Sequence, residues 1–275
     1  MCKELKEFNN RKTADKFAEY ITGKELRRYL ADKVKKYCGD NITVFDGAIG
    51  SGQLEEFIKP KFLYGVEIQE EAVKTCRENY PQSSVECMSF FNYFSDVKAD
   101  ATVMNYPFSL KFKDLPDEDK ENIQKLYPWK KSGVVDDMFI LKGLDFTKRY
   151  GFYICFPGIV YRKPEKTFRD IVGNRLLELN KIENAFEDTG IDIVFLVIDK
   201  EKDTEDTYKE IYDCRSKKIE ASEVCENPEE RWIQLQIFKE PEKIDIDALE
   251  KDLKATRRRI NELSDEIDRI VDEIR

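Results

Sequence analysis

Short β-rich runs of apolar residues alternate with amphipathic stretches along the first 200 residues. The β-rich runs predict five strands, at 42–45, 62–68, 84–88, 101–104 and 152–156. Helical spacing predicts helices at 12–38, from 53 to 58, at 70–80, 138–146 and 167–179. Two further strands, 182–186 and 191–199, flank a hairpin signal at Asp188-Thr189-Gly190. Strands that alternate with helices indicate a mostly parallel α/β sheet, and the hairpin adds an antiparallel edge.

The C-terminal segment has a different pattern. Its apolar residues recur at alternating intervals of three and four, with Thr256 at one of the positions: Ile246, Leu249, Leu253, Ile260, Leu263, Ile267, Ile270 and Ile274. Such a heptad pattern predicts a helix about 40 Å long. The helix could pack on its own domain, but its length favours an intermolecular coiled coil. We expect a main domain at 1–240 and a helix for partner or self association at 244–275.

Composition excludes several classes of function. The formal net charge is −9 from 47 basic and 56 acidic residues, which excludes a uniformly basic nucleic-acid binder but allows a local basic patch. The absence of histidine excludes Ser-His-Asp triads, Cys-His pairs and His-ligated zinc. Seven cysteines without a C-x-x-C pair, and no apolar run of membrane-spanning length, predict a cytoplasmic protein with reduced thiols, no metal and no membrane.

A glycine-rich turn follows the first predicted strand. Its sequence is Asp46-Gly47-Ala48-Ile49-Gly50-Ser51-Gly52, and Glu67 ends the next strand 21 residues after Asp46. Glycines let a ligand approach the backbone, and a carboxylate at that point can accept hydrogen bonds from ribose hydroxyls. An ordinary βα turn is the alternative. The D-x-x-x-G-x-G form is similar to that of S-adenosylmethionine sites and predicts cofactor contacts from Asp46, Gly47, Gly50, Ser51, Gly52 and Glu67.

A second motif, Asn105-Tyr106-Pro107-Phe108, follows the fourth strand. At the carboxyl end of a parallel strand it lies in the crevice where ligands bind. The amide oxygen of Asn105 and the backbone carbonyl of Tyr106 can accept both hydrogens of an exocyclic amine, and Phe108 can stack on a base. The motif resembles the N-P-P-[FY] signature of amino-group methyltransferases, with Tyr106 at the second position. We expect all four residues, Pro107 included, to form the catalytic segment.

Several further motifs resemble, in the same order, those of adenine-N6 DNA methyltransferases. They are Thr13-Ala14-Asp15-Lys16-Phe17, Asp136-Asp137-Met138-Phe139-Ile140, the strand and turn 151–160, the helix start 167–171, and the hairpin 189–200. The hairpin is most similar to that of the methylation subunits of type I restriction-modification systems. Family members usually carry a separate N-terminal helical domain; since only about 40 residues precede the first predicted strand here, we expect this chain to lack that domain.

The resemblance implies a Rossmann-like, S-adenosylmethionine-dependent methyltransferase fold with a seven-stranded sheet and a C-terminal helix. It places Thr13 and Phe17, in the helical segment 12–38, near the methionine end of the cofactor. At the end of the third strand, where an acidic residue often contacts the cofactor adenine, this chain has Ser89 and Phe90. We expect Phe90 to pack against the adenine ring and Ser89 to form a hydrogen bond with it.

Four residues are candidates for nucleic-acid contact, namely Trp129, Lys130, Arg162 and Lys163. For the first two, a solvated surface loop is an equal alternative. The resemblance implies adenine-N6 methylation of DNA, with a specificity subunit bound through the C-terminal helix. Self-association into a homo-oligomer is an alternative role for this helix. Alternatives are methylation of RNA or of a protein glutamine, or a non-catalytic homologue that binds a restriction-modification partner.

Overall fold

One mixed sheet organises the part of the chain that the computed structural model describes, residues 5–6, 22–186, 192–236 and 246–274. Its nine strands follow the order β3-β2-β1-β4-β5-β7-β6-β8-β9. Their bounds are β1 Thr43–Asp46, β2 Phe62–Glu67, β3 Ser83–Cys87, β4 Ala99–Met104, β5 Thr147–Cys155, β6 Leu176–Glu183, β7 Ile193–Asp199, β8 Thr207–Asp213 and β9 Lys218–Cys225.

Seven α-helices lie before, between or after these strands within the described residues. Their bounds are α1 Lys24–Cys38, α2 Glu70–Asn79, α3 Asp117–Leu126, α4 Asp136–Leu144, α5 Gly158–Tyr161, α6 Lys166–Val172 and α7 Ile246–Ile274. Helix α1 buries Leu26, Leu30 and Val34, which recur at helical spacing and join the main core. A short 3₁₀ helix, Phe90–Asn92, follows β3.

The predicted fold class is confirmed, but the strand count is corrected from seven to nine. Strands β1 to β5 are parallel neighbours, while β7 is antiparallel to both β5 and β6. The two extra strands, β8 and β9, form an antiparallel hairpin at the sheet edge. Most residues of β9 are exposed and several are charged, so no apolar run marks the hairpin in the sequence.

Several predicted elements differ in the structure; the strand predicted at 182–186, for example, is observed at Leu176–Glu183. The helix predicted at 53–58 is a series of turns, because Gly52 has a φ of +79° and only seven residues separate it from Pro60. The helix predicted at 167–179 ends at Val172, since Gly173 adopts a φ of +49° and β6 then begins. The segment 109–132, for which the sequence pattern predicts neither helix nor strand, contains helix α3.

Contacts divide the chain into two units, Met1–Gln236 and Ile237–Arg275. The first contains the sheet and its core. In the second, α7 exposes the described apolar residues of its heptad stripe: Leu253, Ile260, Leu263, Ile267 and Ile270. Within the described residues, no helix has the length and apolar character needed to cross a membrane.

Candidate active site

A cavity of about 540 Å³ lies at the carboxyl ends of β1 to β4. This volume is in the range of small-molecule sites. Eleven residues that the sequence singled out line it: Asp46, Gly47, Gly50, Ser51, Glu67, Ser89, Phe90, Asn105, Tyr106, Pro107 and Phe108. Gly52 shapes the turn but does not line the cavity. The parallel strands thus bring separate sequence motifs to one crevice.

The glycine turn after β1 has a conformation that needs its glycines. Gly50 has a φ of +54° and Gly52 one of +79°, both in the left-handed region. A Cβ at Gly47 would lie 2.7 Å from the ring of Phe90, which is too close. The backbone N–H of Ala48 donates to Oδ1 of Asp46 at 2.7 Å. Asp46 therefore shapes the turn from within.

The carboxylate of Glu67 is fixed by two backbone donors. Its Oε2 accepts a hydrogen bond from the N–H of Gly50, and its Oε1 accepts one from the N–H of Gln69, both at 2.9 Å. Burial raises the pKa of Glu67, while these hydrogen bonds oppose the rise. Each carboxylate oxygen has a second lone pair, so the group can also accept hydrogen bonds from a ligand in the cavity.

A second carboxyl group, which the sequence analysis missed, lies beside the turn. Glu55 is fully buried and lies close to Asp46. Burial and the neighbouring charge of Asp46 raise the pKa of Glu55 well above its usual value, and burial also raises the pKa of Asp46, to about 7. The two buried carboxyl groups therefore disfavour each other's ionised form. No spacing in the sequence marks Glu55, since it occupies the segment predicted as a helix.

Thr22 is another residue that sequence reasoning missed. It is buried, lines the cavity and precedes α1. Its Oγ1 accepts a hydrogen bond from Nδ2 of Asn105 at 2.8 Å. Because this bond engages the nitrogen, Oδ1 is the end of the Asn105 amide that can accept a hydrogen bond from a ligand. The sequence carried no signal for this role, because Thr22 lies inside the helix predicted at 12–38, whereas the observed helix begins at Lys24.

Two aromatic residues complete the segment after β4. The ring of Tyr106 is buried and stacks on Phe139 of α4, with centroids 5.2 Å apart and planes 4° apart. Its hydroxyl lies beside Cys155. Phe108 meets Tyr106 edge to face at 6.0 Å. The Tyr106 side chain is therefore part of the core as well as of the cavity wall.

Asp136 fixes the end of the segment Asn105–Phe108, at Ser109, which we call the exit of the segment. The N–H of Ser109, whose φ is +58°, donates to Oδ1 of Asp136 at 2.9 Å. Burial raises the pKa of Asp136 to about 7, although the Ser109 N–H and the Arg162 guanidinium oppose the rise. Nη1 of Arg162 lies 4.0 Å from Oδ2 of Asp136, and its Nη2 lies 3.5 Å from the Ser109 hydroxyl. Arg162 thus stabilises this exit.

The structure corrects one predicted nucleic-acid contact. Lys130 is buried, and its Nζ donates to both carboxylate oxygens of buried Asp137, at 2.6 and 2.7 Å. Its charge is engaged inside the protein and is not presented to a phosphate. Trp129 is 41% exposed and Lys163 is exposed, so both remain accessible, whereas Arg162 is partly buried.

Two predicted cofactor residues, Thr13 and Phe17, lie outside the described residues. Among the residues that are described, no group of three or more Cys, Asp or Glu is arranged to hold a metal ion. The arrangement supports the binding of a nucleoside-type ligand between the glycine turn and the Asn105 segment.

The family model of the N-6 DNA methylases matches residues 4–245. The chain therefore belongs to the N-6 DNA methylase family. A search of curated protein sequences gives no match.

Solved structures share the fold. The type I restriction-modification methyltransferase subunit from Streptococcus thermophilus is 18% identical over 70% of this chain and 47% of its own, with a TM-score of 0.59. A chain from a study of type I restriction-modification complex assembly is 12% identical over 97% of this chain and 68% of its own, with a TM-score of 0.62. The type IIG restriction endonuclease BpuSI is 18% identical over 73% and 28%, with a TM-score of 0.56. This chain thus spans about half the length of the Streptococcus thermophilus subunit.

Proposed function

We propose that the chain is the catalytic part of an S-adenosylmethionine-dependent methyltransferase that modifies adenine N6 in DNA. The observation that carries the proposal is the single cavity that joins the glycine turn, Glu67 and the segment Asn105–Phe108. Membership of the N-6 DNA methylase family supports the same reaction.

The residues present fit the cofactor. The turn is open at Gly50, where no atom lies within 4 Å of the position that a Cβ would occupy, so a ligand can approach the backbone there. Glu67 is held so that it can accept hydrogen bonds from both ribose hydroxyls. When bound, the cofactor supplies an activated methyl group. In this proposal Asp46 and Gly52 maintain the turn, and Ser51 lies near the methionine end of the cofactor.

The target amine is held by the segment after β4. Oδ1 of Asn105 and the backbone carbonyl of Tyr106 accept its two hydrogens, which directs the nitrogen lone pair towards the methyl donor. Phe108 offers an aromatic face to the base, which must leave the duplex to reach the cavity. This mechanism needs no general base, and it is consistent with a chain that has no histidine.

We further propose that a partner subunit supplies sequence recognition. The chain carries a net charge of −9, and Lys130 forms an internal ion pair with Asp137. Exposed lysines such as Lys163 can contact phosphates, Trp129 can contact a base, and a partner with positive surface would supply the remaining phosphate contacts. The exposed apolar stripe of α7 is the surface through which that partner would bind.

The test follows the methyl group. The purified protein is incubated with methyl-labelled S-adenosylmethionine, unmethylated DNA and an extract that lacks this protein but contains its partners. We expect label in N6-methyladenine, lost in Asn105→Ala and retained in Asn227→Ala, an exposed asparagine that does not line the cavity. Label in RNA or protein would contradict the DNA substrate, and no label with a folded protein would contradict the enzymatic proposal.

A further inference from the structure

A buried carboxylate enters the cavity from α3, an element that the sequence pattern did not predict. Asp119 is 3% exposed and lines the cavity. The hydroxyl of Ser89 donates to its Oδ2 at 2.9 Å. Its Oδ1 is buried and has no hydrogen-bond partner among the described residues. A buried carboxylate oxygen without a partner is unfavourable, so Oδ1 of Asp119 is an acceptor available to a ligand.

The location of Asp119 follows from the sheet. Glu67 ends β2, and it lies opposite Cys87, the last residue of β3. Ser89, which holds Asp119, comes two residues later. Asp119 therefore lies beyond the carboxyl end of β3, the strand next to β2, and lines the same cavity as Glu67 and the glycine turn. A cofactor whose ribose is bound by Glu67 can place its adenine at this end of the cavity.

Asp119 is held firmly in this position. Helix α3 packs on the 3₁₀ helix after β3, where Nδ2 of Asn122 donates to Oδ1 of Asn92 at 3.0 Å. Burial and the neighbouring charge of Glu118 raise the pKa of Asp119, while the Ser89 hydroxyl and the Lys142 ammonium oppose the rise. The last two contacts stabilise the ionised carboxylate, and the Ser89 hydrogen bond fixes its orientation.

We infer that Asp119 is an adenine-recognition residue, whose Oδ1 accepts a hydrogen bond from the 6-amino group of the cofactor. This inference rests on the proposed S-adenosylmethionine site. An ionised carboxylate only accepts hydrogen bonds, so it favours the 6-amino group of adenine and disfavours the 6-oxo group of hypoxanthine. Asp119 thus supplies, from a helix, the acid that is absent at the end of β3.

The test uses two ligands that differ at this one group, S-adenosylhomocysteine and S-inosylhomocysteine, in calorimetric titrations of the full chain. Wild-type protein should bind the adenosyl ligand more tightly. Asp119→Asn should weaken its binding about tenfold or more, the usual size of a hydrogen bond to a charged group, and should reduce the preference between the ligands. Asp117→Asn removes an exposed charge from the first turn of the same helix and should change neither affinity.

Ser89→Ala keeps the carboxylate but removes its hydroxyl donor, and we expect a smaller loss of adenosyl affinity. If Asp119 only latches α3 to Ser89, both variants will lower the melting temperature and leave the adenosyl preference unchanged, which would overturn the inference. Unchanged adenosyl affinity in Asp119→Asn would also overturn it while the proposed cofactor stands. No binding of S-adenosylhomocysteine by the folded wild-type protein would overturn the cofactor proposal and this inference with it.

Discussion

Replacement of Lys130 by methionine distinguishes two roles for this lysine, a structural ion pair and a contact to DNA. The Lys130 ammonium lies 2.6 and 2.7 Å from the two carboxylate oxygens of Asp137, and both side chains are almost fully buried. Burial raises the pKa of Asp137, and the charge of Lys130 is the largest influence that lowers it. Without the lysine, Asp137 is left as a buried carboxylate with no cation beside it.

The expected loss is large. Removing one partner of a buried ion pair costs about 3–5 kcal/mol of the free energy of unfolding. For a domain of this size that lowers the melting temperature by about 6–20 °C. Without Lys130, the pKa of the Asp137 carboxyl group is higher in the folded protein than in the unfolded one. The free energy of unfolding therefore falls as the pH rises from the unfolded-state pKa through the folded-state pKa. Lys130→Met should therefore be more destabilised at pH 8 than at pH 5.

Thermal and urea unfolding at pH 5 and pH 8 measure these effects. Lys131→Met is the matched control, because Lys131 is the exposed neighbour and its loss should change stability by less than about 0.5 kcal/mol. Adding Asp137→Asn to Lys130→Met should restore much of the stability, since no charge then remains buried. An unchanged melting temperature in Lys130→Met, together with a loss of DNA binding larger than that of Lys131→Met, would refute this reasoning.

Three other changes test the site and the C-terminal helix. Thr22→Val should lower the methyl-transfer rate about twofold to tenfold by releasing the amide of Asn105, whereas Thr22→Ser should retain it; equal rates in single-turnover assays would contradict this role. Asp136→Asn should make the free energy of unfolding less dependent on pH. In the wild type, Asp136 lowers this free energy by up to about 1.4 kcal/mol per pH unit between its unfolded-state pKa, about 4, and its folded-state pKa, about 7. Urea titrations between pH 4 and pH 7 show whether this dependence persists in the variant. Leu253→Glu with Ile260→Glu should abolish partner association in size-exclusion chromatography without changing the melting of the main unit, and an intact complex would argue against α7 as the interface.

Sequence pattern predicted the parts of the fold that are buried on both faces. Strands β1, β2, β4 and β5 contain apolar runs because the sheet interior leaves little room for polar residues. Hairpin β8–β9 lies at the edge, and the exposed positions of β9 tolerate charge, so its sequence carries no comparable signal. The helix after the glycine turn was predicted from apolar spacing, but Gly52 and Pro60 override that spacing.

The candidate site was predictable where its chemistry depends on neighbours in sequence. The glycine turn and the segment Asn105–Phe108 are such features, and both line the cavity. The sequence did not predict three other residues of the site, Thr22, Glu55 and Asp119. Each contributes through a partner distant in sequence or through burial that only the folded sheet creates. Asp119 shows the limit most clearly, since it lies 30 residues after the serine that orients it.

The structure also explains how Tyr106 can stand where the related signature has proline. Proline would restrict the backbone by fixing φ. Here the ring of Tyr106 stacks on Phe139, and the N–H of Ser109 is bound by Asp136. Phe139 and Asp136 both belong to α4, so one helix anchors the segment near its start and at its exit. Packing against α4 therefore restrains the segment as proline would, and in the proposed mechanism the Tyr106 carbonyl needs only the backbone position that this packing maintains.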